Sequence, residues 1–252
     1  MKERVRTQWG PRMRREWDDR AQADAFYYST WKVGHKWDPD EFFDSGERDC
    51  KLFVDPIVED LSLDPEASTM LELGCGVGRM TKGLARRFRC VHATDVSSEM
   101  VSQARVHCPE LDNAAWEVTD GFDLAFIPTG ALDFAFSFLV FQHVPQKEIV
   151  LHNVAEMIRV LRPGGGFLFQ YNGETDRRVE WRGRLIWGVL DRWRVPLLPR
   201  LFGIDAREAG KTWDGAPLTG EEVESWVEAR GGRVLGSRGV GTPAAWCWGV
   251  RG

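Results

Sequence analysis

A chain of 252 residues is long enough for one large domain with a substantial core. With 43% hydrophobic residues, 28% charged residues and a formal net charge of -5, the composition is that of a soluble globular protein and gives no general pull toward nucleic acid or anionic lipid. Cys50, Cys75, Cys90, Cys108 and Cys247 are odd in number, scattered and never in a CxxC pair, which argues against a disulfide framework and against a cysteine zinc site.

The N-terminal stretch MKERVRTQWGPRMRREWDDR is charged throughout and lacks the apolar core of a secretory signal. No later run approaches the length of a membrane span, so no stable membrane insertion is expected and the expected location is the cytoplasm. Residues 12–34 and 38–62 read as two helices rich in aromatic and charged residues, separated by the Trp37-Asp38-Pro39 turn signal, with Pro56 near the first turn of a further helical piece. From Thr69 onward the pattern alternates. Strands are expected at 70–73, 90–95, 114–118, 132–138 and 166–171, and helices at 78–88, 97–107 and 145–161. Short apolar strands separated by amphipathic helices predict a parallel sheet covered on both faces.

After Asn172 the rhythm breaks. Trp181, Leu185, Ile186, Val189, Leu190 and Trp193 stand at helical spacing until Pro196 to Pro199 end the helix, so 173–218 is expected to be a helical insertion. Thr219 followed by Glu222 predicts a capping box that opens a helix to about Ala229, and strand-like runs follow at 233–238 and 244–250. The organisation expected is an N-terminal helical cap over 1–66 and a sheet domain over 67–252 that carries the insertion.

MLELGCGVGRM (70–80) places a strand before three glycines at alternate positions. A strand that ends in glycines and runs into a helix presents backbone N–H groups to a ligand at the carboxyl edge of the sheet. The spacing decides which ligand. A dinucleotide fingerprint needs a third glycine where Arg79 stands, and no GK[ST] follows to make a phosphate-binding P-loop. The run from Glu72 to Gly78 is E-x-G-x-G-x-G, and here the sequence resembles the class I S-adenosylmethionine-dependent methyltransferases. The resemblance extends in order through Asp95, Thr119-Asp120-Gly121, LDFAFSFLVFQHVP (132–145) and RVLRPGGGFLFQ (159–170). Taken singly, these glycines make tight turns and RPGGG ends a helix.

The resemblance implies an α/β, Rossmann-like, doubly wound and mostly parallel seven-stranded sheet, with S-adenosylmethionine as cofactor, S-adenosylhomocysteine as product and no metal. By position, Asp95 is expected to accept from the ribose hydroxyls with Val96 and Met100 lining the adenine. Asp120 would accept from the adenine amine, beside the backbone of Gly121 and Phe122. Gly74, Cys75, Gly76 and Gly78 form the loop under the amino-acid tail, whose amino group Glu72 and the carbonyl of Phe138 orient. Arg79 has three readings: a partner for the tail carboxylate, a partner for Glu72, or a solvated helix-start arginine.

Methyl transfer from a sulfonium is an in-line displacement with a neutral leaving group, so positioning and exclusion of water do most of the work and a general base is optional. His143 is the candidate base, with packing at the start of the next helix as its other reading. Gln142 and Asn172 are candidate substrate-orienting groups, and Tyr27, Tyr28 and Trp181 represent the aromatics that either line an acceptor pocket or pack the additions onto the sheet. The expected partner is a small-molecule acceptor methylated on O or N. The Trp- and Arg-rich insertion reads as a solvated face, an anion pocket, a homodimer contact or a membrane-surface element, and its interleaved acidic residues argue against nucleic acid. A rival from another class is a non-catalytic scaffold that retains the cofactor site.

Overall fold

The computed structural model describes residues 3–30, 35–173 and 215–252. Helix α1 (Glu3–Tyr28) begins well before the expected residue 12, carries Pro11 within it and kinks at Asp24, whose φ of -169 and ψ of 91 are not helical. Its low apolar content would not hold it as an isolated helix. Contacts to the body of the protein do: Met13 packs with Phe122 and Ile149, Ala21 and Ala25 pack with Phe42 and Met100, Arg6 pairs with Asp120 and Asp123, and Arg14 donates to the carbonyls of Val96 (3.2 Å) and Thr119 (2.8 Å). Asp18 accepts from Ser97 Oγ (2.6 Å) and from Glu99 N (3.0 Å).

Asp38 caps α2 (Pro39–Asp49) by accepting from Asp40 N and Glu41 N, with Pro39 at the first helical position, as the turn signal implied. The further helical piece expected at Pro56 is present, set off from α2 by a change in helix type. A π-helical stretch, Cys50–Val54, leads into α3 (Asp55–Asp60), which has Pro56 in its first turn. A proline has no N–H to donate back along the helix, and the widened turn before it absorbs that gap.

The sheet contains β1 (Thr69–Leu73), β2 (Cys90–Asp95), β3 (Ala114–Val118), β4 (Leu132–Ser137), β5 (Leu161–Tyr171), β6 (Gly232–Arg238) and β7 (Ala245–Arg251) in the order β3-β2-β1-β4-β5-β7-β6. All neighbours are parallel except β7, which runs antiparallel to both β5 and β6. The helices between strands are α4 (Thr81–Ala85), α5 (Ser98–His107), α6 (Lys147–Val160) and α7 (Gly220–Glu228). Helix α4 is shorter than the expected 78–88 because residues 76–80 are turn, and β5 starts at Leu161, earlier than expected, across a register shift between Leu132 and Phe134. The Thr219–Glu222 capping box opens α7.

Each face of the sheet has its own core. Leu71, Leu73, Ala135, Phe167 and Phe169 pack with Val150, Val154 and Met157 of α6 and Val223 and Val227 of α7. On the other face Met70, Val91, Ala93, Phe134 and Phe136 pack with Leu84, Val101, Cys50 and Val54. Burial on both faces explains why β1 and β4 read as near-continuous apolar runs. It also makes Glu72 conspicuous, as a charged residue 3% exposed in the centre of β1. Of the expected insertion over 173–218, residues 174–214, with its arginines and Trp181, lie outside the described residues.

Candidate cofactor and acceptor cleft

Strand β1 is the point where the chain order reverses, with β2 on one side and β4 on the other. Crossovers leave such a point in opposite directions and open a crevice beyond the carboxyl ends of the strands. The crevice here encloses about 1000 Å³ of empty space, including the solvent at its mouth. Its walls come from the end of β1 (Glu72 to Gly76), the end of β2 (Thr94 to Val96), the loop after β3 (Thr119, Gly121), the stretch after β4 (Phe138 to Val144) and α1.

At its floor the glycine loop turns on Gly74 (φ +82) and Gly76 (φ +54), backbone angles that L side chains rarely adopt. Their hydrogen also keeps the cradle open, because a Cβ on Gly74 would sit 2.1 Å from Val140 Cγ2 and one on Gly76 would sit 2.9 Å from Ser29 Oγ. Gly78 does not reach the cleft. It gives room to the Trp116 ring instead, so the third glycine of the motif is a packing residue.

Asp95 closes the loop from the β2 side: Oδ2 accepts from Gly76 N (2.9 Å) and Oδ1 from Ser97 N (2.8 Å). Each oxygen retains acceptor capacity on the cleft side. Burial raises its pKa, opposed by those backbone N–H groups. Glu72 receives the Thr81 hydroxyl at 2.6 Å, and burial, reinforced by the negative charge of Asp95, pushes its pKa up to about 8 against the pull of Thr81 and Arg79. Such a carboxyl is short of a positive charge, and a cationic amino group would supply one.

Arg79 is neither solvated nor paired with Glu72. Buried to 3% exposure, it donates to Asp49 Oδ2 (2.6 Å), Ser45 Oγ (3.2 Å) and the Ser29 carbonyl (3.1 Å), tying α2 and the end of α1 to the glycine loop while its guanidinium lies over the Phe138 ring. Val96, Met100, Cys75, Gly121, Phe138, Tyr28 and His143 all line the cleft. The His143 ring meets the edge of Trp17 at 5.3 Å between centroids.

Asp120 is not brought into the cleft. Its carboxylate faces Arg6 and accepts from Phe122 N (2.9 Å) and Asp123 N (3.0 Å), so a local turn and an ion pair hold the group expected at the adenine amine. Phe122 packs away from the cleft among Met13 and Ile149. Gln142 is buried against Gln170, Asn172 donates to the Gly215 carbonyl at 2.7 Å, and Tyr27 stacks edge-on with Tyr28, so none of the three lines the cleft. Trp181 lies outside the described residues. Sequence reasoning missed Met13, Trp17, Ser29, Val140 and Asn153, which do line it. Met13 and Trp17 stand four residues apart on α1, a spacing that marks a common face. Asn153 carries no such signal, yet it fixes the cleft rim by donating to the Gly121 carbonyl at 2.9 Å.

Residues 70–165 match the family model of the methyltransferase domain. Over these residues the chain is similar to the methyltransferase domain, and the relatives and solved structures that it resembles are methyltransferases. It is 25% identical to a 2-methyl-6-phytyl-1,4-hydroquinone methyltransferase from Synechocystis over 94% of this chain and 75% of that one. It is 33% identical to a ubiquinone biosynthesis O-methyltransferase from Xanthomonas oryzae over 41% of this chain, and the match spans 42% of that relative's length. Among solved structures, a magnesium protoporphyrin IX methyltransferase from Synechocystis with bound SAH superposes with a TM-score of 0.62 at 14% identity, covering 95% of this chain and 98% of that one, which shows a shared methyltransferase fold. Among the described residues no group of three or more His, Cys, Asp or Glu side chains is placed to hold a metal, and no helix is long and apolar enough to cross a membrane.

Proposed function

We propose that this methyltransferase binds S-adenosylmethionine in the β1–β4 crevice and methylates an oxygen or nitrogen of a small-molecule acceptor. The observation that carries the reading is Asp95: a half-buried carboxylate at the tip of β2, tethered to the glycine loop and bordering an open cleft whose floor no Cβ fills. When bound, S-adenosylmethionine supplies an electrophilic methyl on a sulfonium with a neutral thioether as leaving group.

The residues of the chain do the rest. Asp95 accepts from the ribose diol, Val96, Met100 and Met13 enclose the base beside the Gly121 backbone, and Glu72 with the Phe138 carbonyl holds the amino group. Arg79, already paired with Asp49, stiffens the loop more than it binds. The aromatic side of the cleft excludes water and orients the acceptor, and His143 is the proton acceptor within it. The similarity to a 2-methyl-6-phytyl-1,4-hydroquinone methyltransferase and to a ubiquinone biosynthesis O-methyltransferase favours an acceptor of small-molecule size.

Thermal shift with S-adenosylmethionine and with NAD tests the cofactor, and conversion to S-adenosylhomocysteine with added acceptors tests catalysis. Stabilisation by S-adenosylmethionine alone, followed by acceptor-dependent turnover, is expected. Stabilisation by NAD with indifference to S-adenosylmethionine would end the reading, and tight binding without turnover on any acceptor would leave a scaffold.

A further inference from the structure

Glu72 pairs with Ala93 of β2 and Phe136 of β4 in the centre of the sheet. It stands two residues from Met70, so its side chain leaves the sheet on the face that α4 covers. Among the described residues one hydrogen bond reaches its carboxylate: Thr81, the first residue of α4 and fully buried, donates to Oε2 at 2.6 Å. The backbone of Glu72 is fixed separately, its carbonyl accepting from Thr94 Oγ1 at 3.1 Å. Glu72 also lines the cleft beside the glycine loop, whereas Thr81 does not.

Resting on the methyltransferase reading above, we propose that Thr81 is the positioning residue of the amino-group site: its hydroxyl pins Oε2 of Glu72 against α4 and leaves Oε1 to receive the ammonium of S-adenosylmethionine. A glutamate has three rotatable bonds, and an oxygen tied down before the cofactor arrives spares part of the ordering cost that binding would otherwise bear. Donation to the carboxylate also favours its charged form, which is the form that attracts a cation. Valine has nearly the shape of threonine and would fill the same space beside Met80 and Leu84; the hydroxyl is what it lacks.

The titratable groups that face Glu72 are Arg79 and Asp95, which pull its pKa down and push it up respectively, and the thiols of Cys50, Cys75 and Cys108, which burial keeps protonated. Against burial, which raises the carboxyl to about 8, Thr81 supplies the largest opposing pull. Loss of its hydroxyl therefore raises that pKa further, and more of the protein holds a neutral carboxyl at a given pH.

The full-length chain is titrated by calorimetry with S-adenosylhomocysteine and with its deamino analogue, in which hydrogen replaces the amino group, from about pH 6 to about pH 9. A wild type that binds neither ligand removes the cofactor reading and this proposal with it. Given binding, the wild type should prefer S-adenosylhomocysteine about tenfold near neutral pH, since one charge-assisted contact separates the two ligands. Thr81→Val should weaken S-adenosylhomocysteine by about tenfold and the deamino analogue by less than about twofold, so that the preference disappears. The rise of S-adenosylhomocysteine affinity with pH should begin at higher pH in this variant, and Thr81→Ser should restore both the preference and the profile. Thr81→Ala should repeat the valine result and reads the same loss if the valine variant does not fold. A wild type without preference for the amino group, a valine or alanine variant with unchanged affinity and pH profile, or equal losses for both ligands, the mark of a packing role alone, overturns the role of Thr81 and leaves the cofactor assignment standing.

Discussion

Glu72 has a carboxyl raised to about 8, against 4.5 for an unburied one, with burial as the main cause. Between those values the folded protein holds a proton that the unfolded chain has released. Stability from this group is therefore present at low pH and lost as pH rises from about 4.5 to about 8, on the order of a few kcal/mol, with Asp95 acting in the same direction. Glu72→Gln should flatten that part of the Tm-versus-pH curve and raise Tm at pH 8; an unchanged curve would show that Glu72 is ionised in the empty protein. The same logic governs binding. A cationic amino group favours the carboxylate, so cofactor affinity should rise with pH up to about 8 with a proton released on binding, read by calorimetry in buffers of different ionisation enthalpy. Gly74 belongs to the same scale: Gly74→Ala forces its Cβ onto Val140 at a left-handed backbone angle, and should cost both stability and cofactor affinity.

Polar links add to the apolar packing that joins the elements. Arg79 and Asp49 form an ion pair buried between α2 and the glycine loop. Removing one partner leaves the other charge buried alone, so Asp49→Ala should destabilise by about 3–5 kcal/mol by denaturant unfolding, and the double change Asp49→Leu with Arg79→Met should cost less than the single one. Helix α1 is held differently, by Arg6, Arg14 and Asp18 at its contacts with the strand tips and α5. Asp18→Ala removes an acceptor from the start of α5 and should cost about 1 kcal/mol while speeding hydrogen exchange in residues 3–20 with the central strands unchanged. Uniform exchange across the chain would mean that α1 is as firmly fixed as the core. These links explain why element boundaries were less legible than element types. The strands and the Thr219 capping box were readable because period and capping chemistry are local, whereas the early start of α1 depends on Asp120, Asp123 and Thr119, more than a hundred residues away.

For the molecule as a whole, the glycine spacing, Asp95 and the order of apolar strands were enough to anticipate the doubly wound sheet and the side of it on which the cleft opens. The part of the cleft that α1 lines was not legible in the same way, because Met13 and Trp17 reach it only through the docking of that helix, and Asp120 faces Arg6 of the same helix instead of the cleft. The central claim is that the Asp95 carboxylate grips the ribose of a sulfonium nucleoside over the glycine loop. Titration calorimetry of S-adenosylhomocysteine into the wild-type protein and into Asp95→Ala tests it most directly. The account predicts one site per chain and a loss of about 1.5–3 kcal/mol, roughly 10- to 100-fold in Kd, in the variant; equal affinity in the two proteins would contradict it.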